Sequence, residues 1–388
     1  MAKQLIEQNN PSNKEIVTLE HALKMLNNSE ILDVIHQHKF KISDSIRKKN
    51  DLEKYLSTEY RNGRLPNKIF TALRERAFNP ELNVSDGFYL SFSHKSQAVT
   101  EEKLEKLVKE ANGEINKSQD VYGAEIELLN FSNQSGKFLV TRKQERFAYD
   151  RTSMFSTKFS EEHKIVVEIN FAKQIVYFQT SNVLKFRAIR TVVKDFLSII
   201  FKLEKFRLYP PKMSQQLNFT IAKDGKSATR YEGINSNTIK LLDLLLEINN
   251  HTSNFSEFEC VDITLDHEDS KKNNTKAKIN TQAFGGGDLL GTAAVNKLVI
   301  EGRVILEIDF KIVYNELQSN GQVKKHTIMA GIENHNREYL RIYMHNNDLE
   351  LKRVVNKAYN ELKIVFIAHF SAKELRNEEK LKKLLGLR

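Results

Sequence analysis

The runs VILEIDFKIVY (304–314) and VKKHTIMAGI (323–332) flank Asn320-Gly321, and their pattern decides the fold class. Glu307, Asp309 and Lys311 stand two apart beside apolar Ile305, Leu306 and Ile308, the alternation of an antiparallel strand with one solvated face. Asn-Gly is the favoured two-residue hairpin turn, because both residues accept left-handed backbone. A hairpin is therefore predicted. Downstream, LRIYMHNNDLELKRVVNKAYNEL (340–362) reads as a strand, a polar turn at Asn347 and a helix, and IVYFQTSNVLKFRAIRTVVKDFL (175–197) repeats that grammar around Asn182. Both helices carry apolar residues at helical spacing: Leu184, Ile189, Val192, Val193 and Phe196 in one, Leu349, Leu351, Val354, Val355, Tyr359 and Leu362 in the other. An internal strand-turn-helix duplication would account for the pair; so would chance, since the connection is a common one.

Further out, the two periods separate along the chain. GFYLSFSH (87–94), EIELLNF (125–131), KFLVTRK (137–143) and KIVVEINF (164–171) are strand-like runs broken by Gly, Asn and Ser, with a helix at 99–113 that Gly113 should stop. From Thr18 to Phe78 apolar residues recur at three and four, which predicts four short helices, one of them capped by Ser29 and the last closed by Asn79-Pro80. Pro210-Pro211 is the best linker, and beyond it lie an apolar helix at 237–248 and a strand at 258–267. The predicted class is α+β: a flexible arm (1–15), a helical module (16–80) and two mixed domains (85–209 and 212–388) with largely antiparallel sheets.

Composition narrows the function classes. The chain has 388 residues, 40% of them apolar, so it can bury a core of its own. Its one cysteine, Cys260, excludes an internal disulfide framework. No apolar run approaches the 18 residues or so of a membrane span, and the start lacks the apolar core of a signal peptide, so a cytoplasmic location is expected. The formal charge of +10 favours an anionic partner. Abundant Lys, Asn and Ile without Trp suggests a low-GC microbial or viral gene, where basic proteins often serve mobile elements or antiviral defence.

The densest basic segment is 185–207. Lys185, Arg187, Arg190 and Lys194 follow the Asn182 turn at a helix start, where the dipole favours anions, which makes them candidate phosphate contacts. Lys352 and Arg353 hold the corresponding place in the second strand-turn-helix unit. A further basic site lies at 29–60, where a short helix with Leu32 and Ile35 leads through Lys39 and Lys41 to Arg47, Lys48 and Lys49 and a second helix with Leu52, Tyr55 and Leu56. Over these residues the chain resembles the SAP family of DNA-binding helical modules, and the resemblance implies duplex DNA contacts at Lys39, Lys41, Lys48 and Lys49. Where that family's loop carries a glycine, this chain has Ser43-Asp44-Ser45-Ile46.

The sharpest catalytic alternative is Glu307, Asp309 and Lys311 on one strand face, with Asp262 or Asp266 as an upstream acid, the pattern of a metal-dependent nuclease. The same triplet marks the wet face of an ordinary sheet. No histidine spacing suggests zinc, and the run Gly285-Gly286-Gly287 lacks the Lys-Ser/Thr of a phosphate loop, so neither metal nor cofactor is expected. The sequence favours a non-enzymatic nucleic-acid-binding protein with duplex DNA as partner. An interaction subunit with an acidic protein partner and a nuclease are the alternatives.

Overall fold

The computed structural model describes residues 11–43, 46, 48–79, 84–93, 99–116, 123–149, 156–211, 220–222, 228–230, 235–248, 254–266, 281–285, 289–318, 320–335, 338–345, 351–370 and 375–386. They form an α+β fold built on antiparallel strand pairs. The chain divides into two units that interleave in sequence, residues 1–82, 99–168 and 182–206 against 83–98, 169–181 and 207–388.

In the first unit, four helices close a core of their own: α1 (Asn13–Met25), α2 (Asn28–Gln37), α3 (Lys49–Arg61) and α4 (Asn67–Phe78). Leu19, Leu23, Leu52, Leu56, Ile69 and Leu73 are fully buried in it, as the three-and-four spacing requires. Helix α1 starts at Asn13, inside the expected flexible arm, because Ser12 and Glu15 form a capping box: Glu15 N–H donates to Ser12 Oγ and Ser12 N–H to Glu15 Oε2. Asn27 caps α2 in the same way with Glu30, displacing the expected Ser29. The stretch that resembles a SAP module, 29–60, is thus a helix, a loop and a helix.

The rest of this unit joins α5 (Glu101–Ile115) and α6 (Val183–Phe201) to β2 (Ala124–Ser132), β3 (Ser135–Tyr149) and β4 (Ser156–Asn170). Helix α5 passes through Gly113 because Asn112, one residue earlier, exchanges two 2.8 Å bonds with the backbone of Ile126 and holds the last turn on β2. Asn133 and Gln134, both left-handed, make a two-residue turn between β2 and β3. Phe138 and Phe196 meet edge to face at 5.3 Å. The helical module is tied in by a buried carboxylate, since Glu161 Oε1 on β4 lies 2.6 Å from Nε2 of both His21 on α1 and His163. Burial alone would push Glu161 up; the two imidazoles outweigh it and hold the group well below the usual carboxylate range.

The second unit has strands in the order β5 (Ile175–Gln179), β1 (Asp86–Ser91), β12 (Tyr339–His345), β11 (Val323–His335), β10 (Val304–Leu317), β8 (Phe255–Asp266) and β9 (Thr281–Gly285). A separate hairpin pairs β6 (Thr220–Ala222) with β7 (Ala228–Arg230). One sheet face packs against α7 (Ser236–Ile248), α8 (Ala293–Ile300), α9 (Lys352–Phe370) and α10 (Glu378–Leu384). Strand β1 explains the interleaving, because it lies between the two strands of the repeated grammar: Phe88 is opposite Phe178 of β5 on one side and Arg341 of β12 on the other. Both strands lead into helices, and the connectivity extends the likeness. Helix, strands and helix follow one another as α5-β2-β3-β4-β5-α6 and again as α7-β8-β9-α8-β10-β11-β12-α9.

The predicted hairpin is present with eleven cross-strand pairs between Glu307↔Glu333 and Leu317↔Val323. Its turn differs from expectation. Gln318 N–H donates to Gln322 O and Gly321 N–H to Gln318 O, so the connection is longer than two residues, and Gly321 is left-handed, at φ +81°.

Candidate nucleic-acid interface

The basic residues singled out in the sequence fall in four different environments. Lys39 and Lys41 are exposed in the loop after α2, and Lys48 is exposed just before α3. Lys49 is half-buried, with Nζ donating to Lys24 O at 3.1 Å and lying 3.5 Å from Glu53. Arg47 lies outside the described residues. Between α1 and α3 a cleft of about 390 Å³ is lined by Glu20, Lys24, Asn50, Glu53, Lys54, Ser57, Thr58 and Arg61. One of its cations, Arg61, lies 2.7 Å from Glu20.

At the start of α6 the expectation needs correction. Lys185 is only 2% exposed, and its ammonium donates to Asn79 O at 3.2 Å, an internal bond to the end of α4 rather than a contact open to phosphate. Asn182 Oδ1 accepts from the N–H groups of Leu184 and Lys185 at 2.8 and 3.1 Å, so the helix start is already capped. The remaining three cations do share a face. Arg187 and Lys194 are exposed and Arg190 half-buried at i, i+3 and i+7, with Lys194 3.6 Å from Asp195.

The start of α9 is different. Arg353 is 78% exposed, Lys352 is exposed, and Arg353 and Lys357 reach Glu316 on β10 at 3.4 and 3.0 Å. Glu316 is buried, with His326 of β11 at 3.2 Å. Its hydrogen bond from Lys357 holds the carboxyl below the usual carboxylate range against the opposing effect of burial. On the neighbouring strand Lys324 is exposed directly opposite Glu316, and exposed Lys325 lies 3.1 Å from Glu257. Lys324, Lys352, Arg353 and Lys357 thus form one cationic surface from two elements, around a single buried carboxylate, while Lys325 takes the opposite face of the strand. Only Lys352 and Arg353 were singled out beforehand. A signal for the rest existed: Glu316 is in phase with buried Phe310, Ile312 and Tyr314, and His326 with Ile328 and Ala330, so a polar pair on the core phase announced a buried charge that needs partners.

Glu307, Asp309 and Lys311 do line one face of β10, as expected, with Asp262 of β8 directly opposite Asp309. Their bonds are those of a structural polar face. Tyr343 O–H is 2.7 Å from Asp309 Oδ1 and 3.1 Å from Glu307 Oε1, and Lys311 is 3.3 Å from Glu259. Burial, together with those two carboxylates, holds the Tyr343 phenol well above its usual range. Gly331 makes this possible, since a Cβ there would stand 2.3 Å from Asp309 Oδ1 and 2.4 Å from the Tyr343 ring. Asp266 takes part in the backbone pairing, opposite Val304. Gly286 and Gly287 lie outside the described residues. Among the described residues no group of three or more His, Cys, Asp or Glu is placed to hold a metal ion, and no helix is long and apolar enough to cross a membrane.

The remaining buried charges knit helices together. Asp243 on α7 lies 2.8 Å from His369 Nε2 at the end of α9 and accepts from Asn377 N–H at 2.8 Å and Arg376 N–H at 3.2 Å before α10. Burial would raise its pKa; His369 and the two backbone donors lower it. No known protein family matches the chain, and no curated protein matches it.

Proposed function

We propose that the protein binds duplex DNA through its phosphates without transforming it, using the surface formed by the start of α9 and the end of the β10–β11 hairpin. The observation that carries this reading is the gathering of Lys324, Lys352, Arg353 and Lys357 from two separate elements, with Glu316 fixing two of them in place. Cations spread over a surface suit a polyanion, because each one that meets a phosphate releases a condensed counterion and adds affinity without any enclosed pocket. The Arg187, Arg190 and Lys194 stripe of α6 is a second basic surface in the first unit. Lys185 takes no part in it.

The test is a titration of fluorescent duplex DNA, single-stranded DNA and RNA at two salt concentrations, with Mg²⁺ present and products run on a denaturing gel. Affinity for duplex that falls steeply with salt, with intact strands, is the expected result. Lys324→Glu and Lys352→Glu should each lower the slope of log affinity against log salt by about 0.9. Cleavage abolished by Asp309→Ala would instead establish the nuclease, and no binding at low salt would leave an acidic protein as the partner for the same surface.

A further inference from the structure

The cleft between α1 and α3 belongs to the first unit and is built from the wet sides of two helices. Leu19, Leu23, Leu52 and Leu56 turn into the module core, so residues next to them round each helix become the walls. Glu20 and Lys24 stand one turn apart on α1, and Asn50, Lys54, Ser57 and Arg61 on successive turns of α3. Both carboxylates in the walls are answered: Glu20 lies 2.7 Å from Arg61, and Glu53 lies 3.5 Å from Lys49. The side chains of Lys24, Lys54, Asn50 and Ser57, by contrast, make no hydrogen bond or ion pair among the described residues. Two ammonium groups, an amide and a hydroxyl thus face about 390 Å³ of space with their bonding capacity unspent. Helix α3 also starts without a side-chain cap, which leaves the positive end of its dipole beside Asn50.

We infer that the cleft binds a small hydroxylated phosphate monoester of the sugar-phosphate class, a ligand separate from the duplex proposed above. The two unspent cations select the phosphate: a dianion meets one ammonium from each helix, and each ammonium carries three donors. Glu20 and Glu53 select the rest of the ligand. A carboxylate paired with one cation keeps acceptor sites, and hydroxyl groups fill them without bringing a second negative charge. The lining is equally selective against other anions. Every described residue in it is polar, so a nucleobase finds no ring to stack on and an acyl chain no apolar wall to bury against. The volume suits a single such molecule, toward the lower end of the range of about 300–1,000 Å³ usual for small-ligand sites. Because Lys24 and Lys54 stand on different helices, the bound phosphate links α1 to α3 and stabilises the module.

The experiment is calorimetric titration of the full chain with glucose 6-phosphate, glucose, inorganic phosphate and adenosine 5′-monophosphate, with melting temperatures measured alongside. Glucose 6-phosphate should bind and raise the melting temperature, inorganic phosphate should bind at least about tenfold more weakly, and glucose should give no signal. Lys24→Gln and Lys54→Gln should each weaken glucose 6-phosphate about tenfold. Both side chains are exposed, so these variants fold, and Lys24→Arg with Lys54→Arg should keep the affinity within about threefold. Lys54→Gln should leave the salt slope of duplex binding unchanged and Lys352→Glu the affinity for glucose 6-phosphate, so the two sites fail or stand separately. Neither heat nor a melting shift with millimolar glucose 6-phosphate, or an affinity unmoved by both glutamine variants, would overturn the site. Inorganic phosphate or adenosine 5′-monophosphate binding as tightly as the sugar phosphate would overturn the ligand class. Displacement of glucose 6-phosphate by an equimolar 5′-phosphorylated DNA strand would overturn it in favour of nucleic-acid ends.

Discussion

Helices α6 and α9 open on similar text, VLKFRAIR and LKRVVNK, yet the structure uses their first cations in opposite ways. Lys185 of α6 is turned inward onto the carbonyl that ends α4, while Lys352 and Arg353 of α9 stay at the surface beside a second basic element. Charge count at a helix start therefore does not identify a binding surface. What decides is which side of the helix the core takes, and that depends on what the helix is packed against.

The comparison can be broken at its strongest point first. Lys185→Glu should cost on the order of 3 kcal/mol of stability in urea denaturation, because it leaves the Asn79 carbonyl without its donor and buries a carboxylate in the donor's place. A variant as stable as wild type but deficient in DNA binding would reverse our assignment of that lysine. Lys352→Glu with Arg353→Glu should do the opposite: stability within about 0.5 kcal/mol of wild type, and DNA affinity down at least about tenfold, or about 1.4 kcal/mol. Asn182→Ala should cost about 1 kcal/mol of stability by uncapping α6, with no effect on the salt slope of binding.

The smallest effect is a pH dependence. Glu316 has a folded pKa below the ordinary 4.5, so its contribution is present above about pH 4.5 and is lost as pH falls through the lower folded value. Glu161 and Asp243 are also lowered, so the wild-type loss in acid is shared among several carboxylates. The expected signature is thus a difference: in urea midpoints measured between pH 7 and pH 3, Glu316→Gln should lose less than wild type. Equal losses would mean that Glu316 does not hold the start of α9.

Much of the fold was legible because local periods coincide with burial. The three-and-four spacing of Leu19, Leu23, Leu52 and Leu56 marked the helical module, and period two through Ile308, Phe310 and Ile312 marked β10. The errors have local causes too. Asn320-Gly321 fitted two loop lengths, and only the bond between Gln318 and Gln322 selects the longer. Of the proposed interface, Lys352 and Arg353 were visible as basic residues; Lys324 and Lys357 were not, because their relevance comes from Glu316, some 40 residues before Lys357.

By itself, the sequence determined an α+β chain with a helical segment near its start, an antiparallel hairpin at 304–332 and a duplicated-looking strand-turn-helix pair, since each follows from side-chain period and turn chemistry over short spans. Only the tertiary structure decided that β1 lies between β5 and β12, that the two units interleave, and that Lys185 is internal while Arg353 is not. Those outcomes are set by pairings between residues up to about 250 positions apart, such as Asp86 with Arg341 at 2.7 Å, and no periodicity within one segment carries information about a partner that distant.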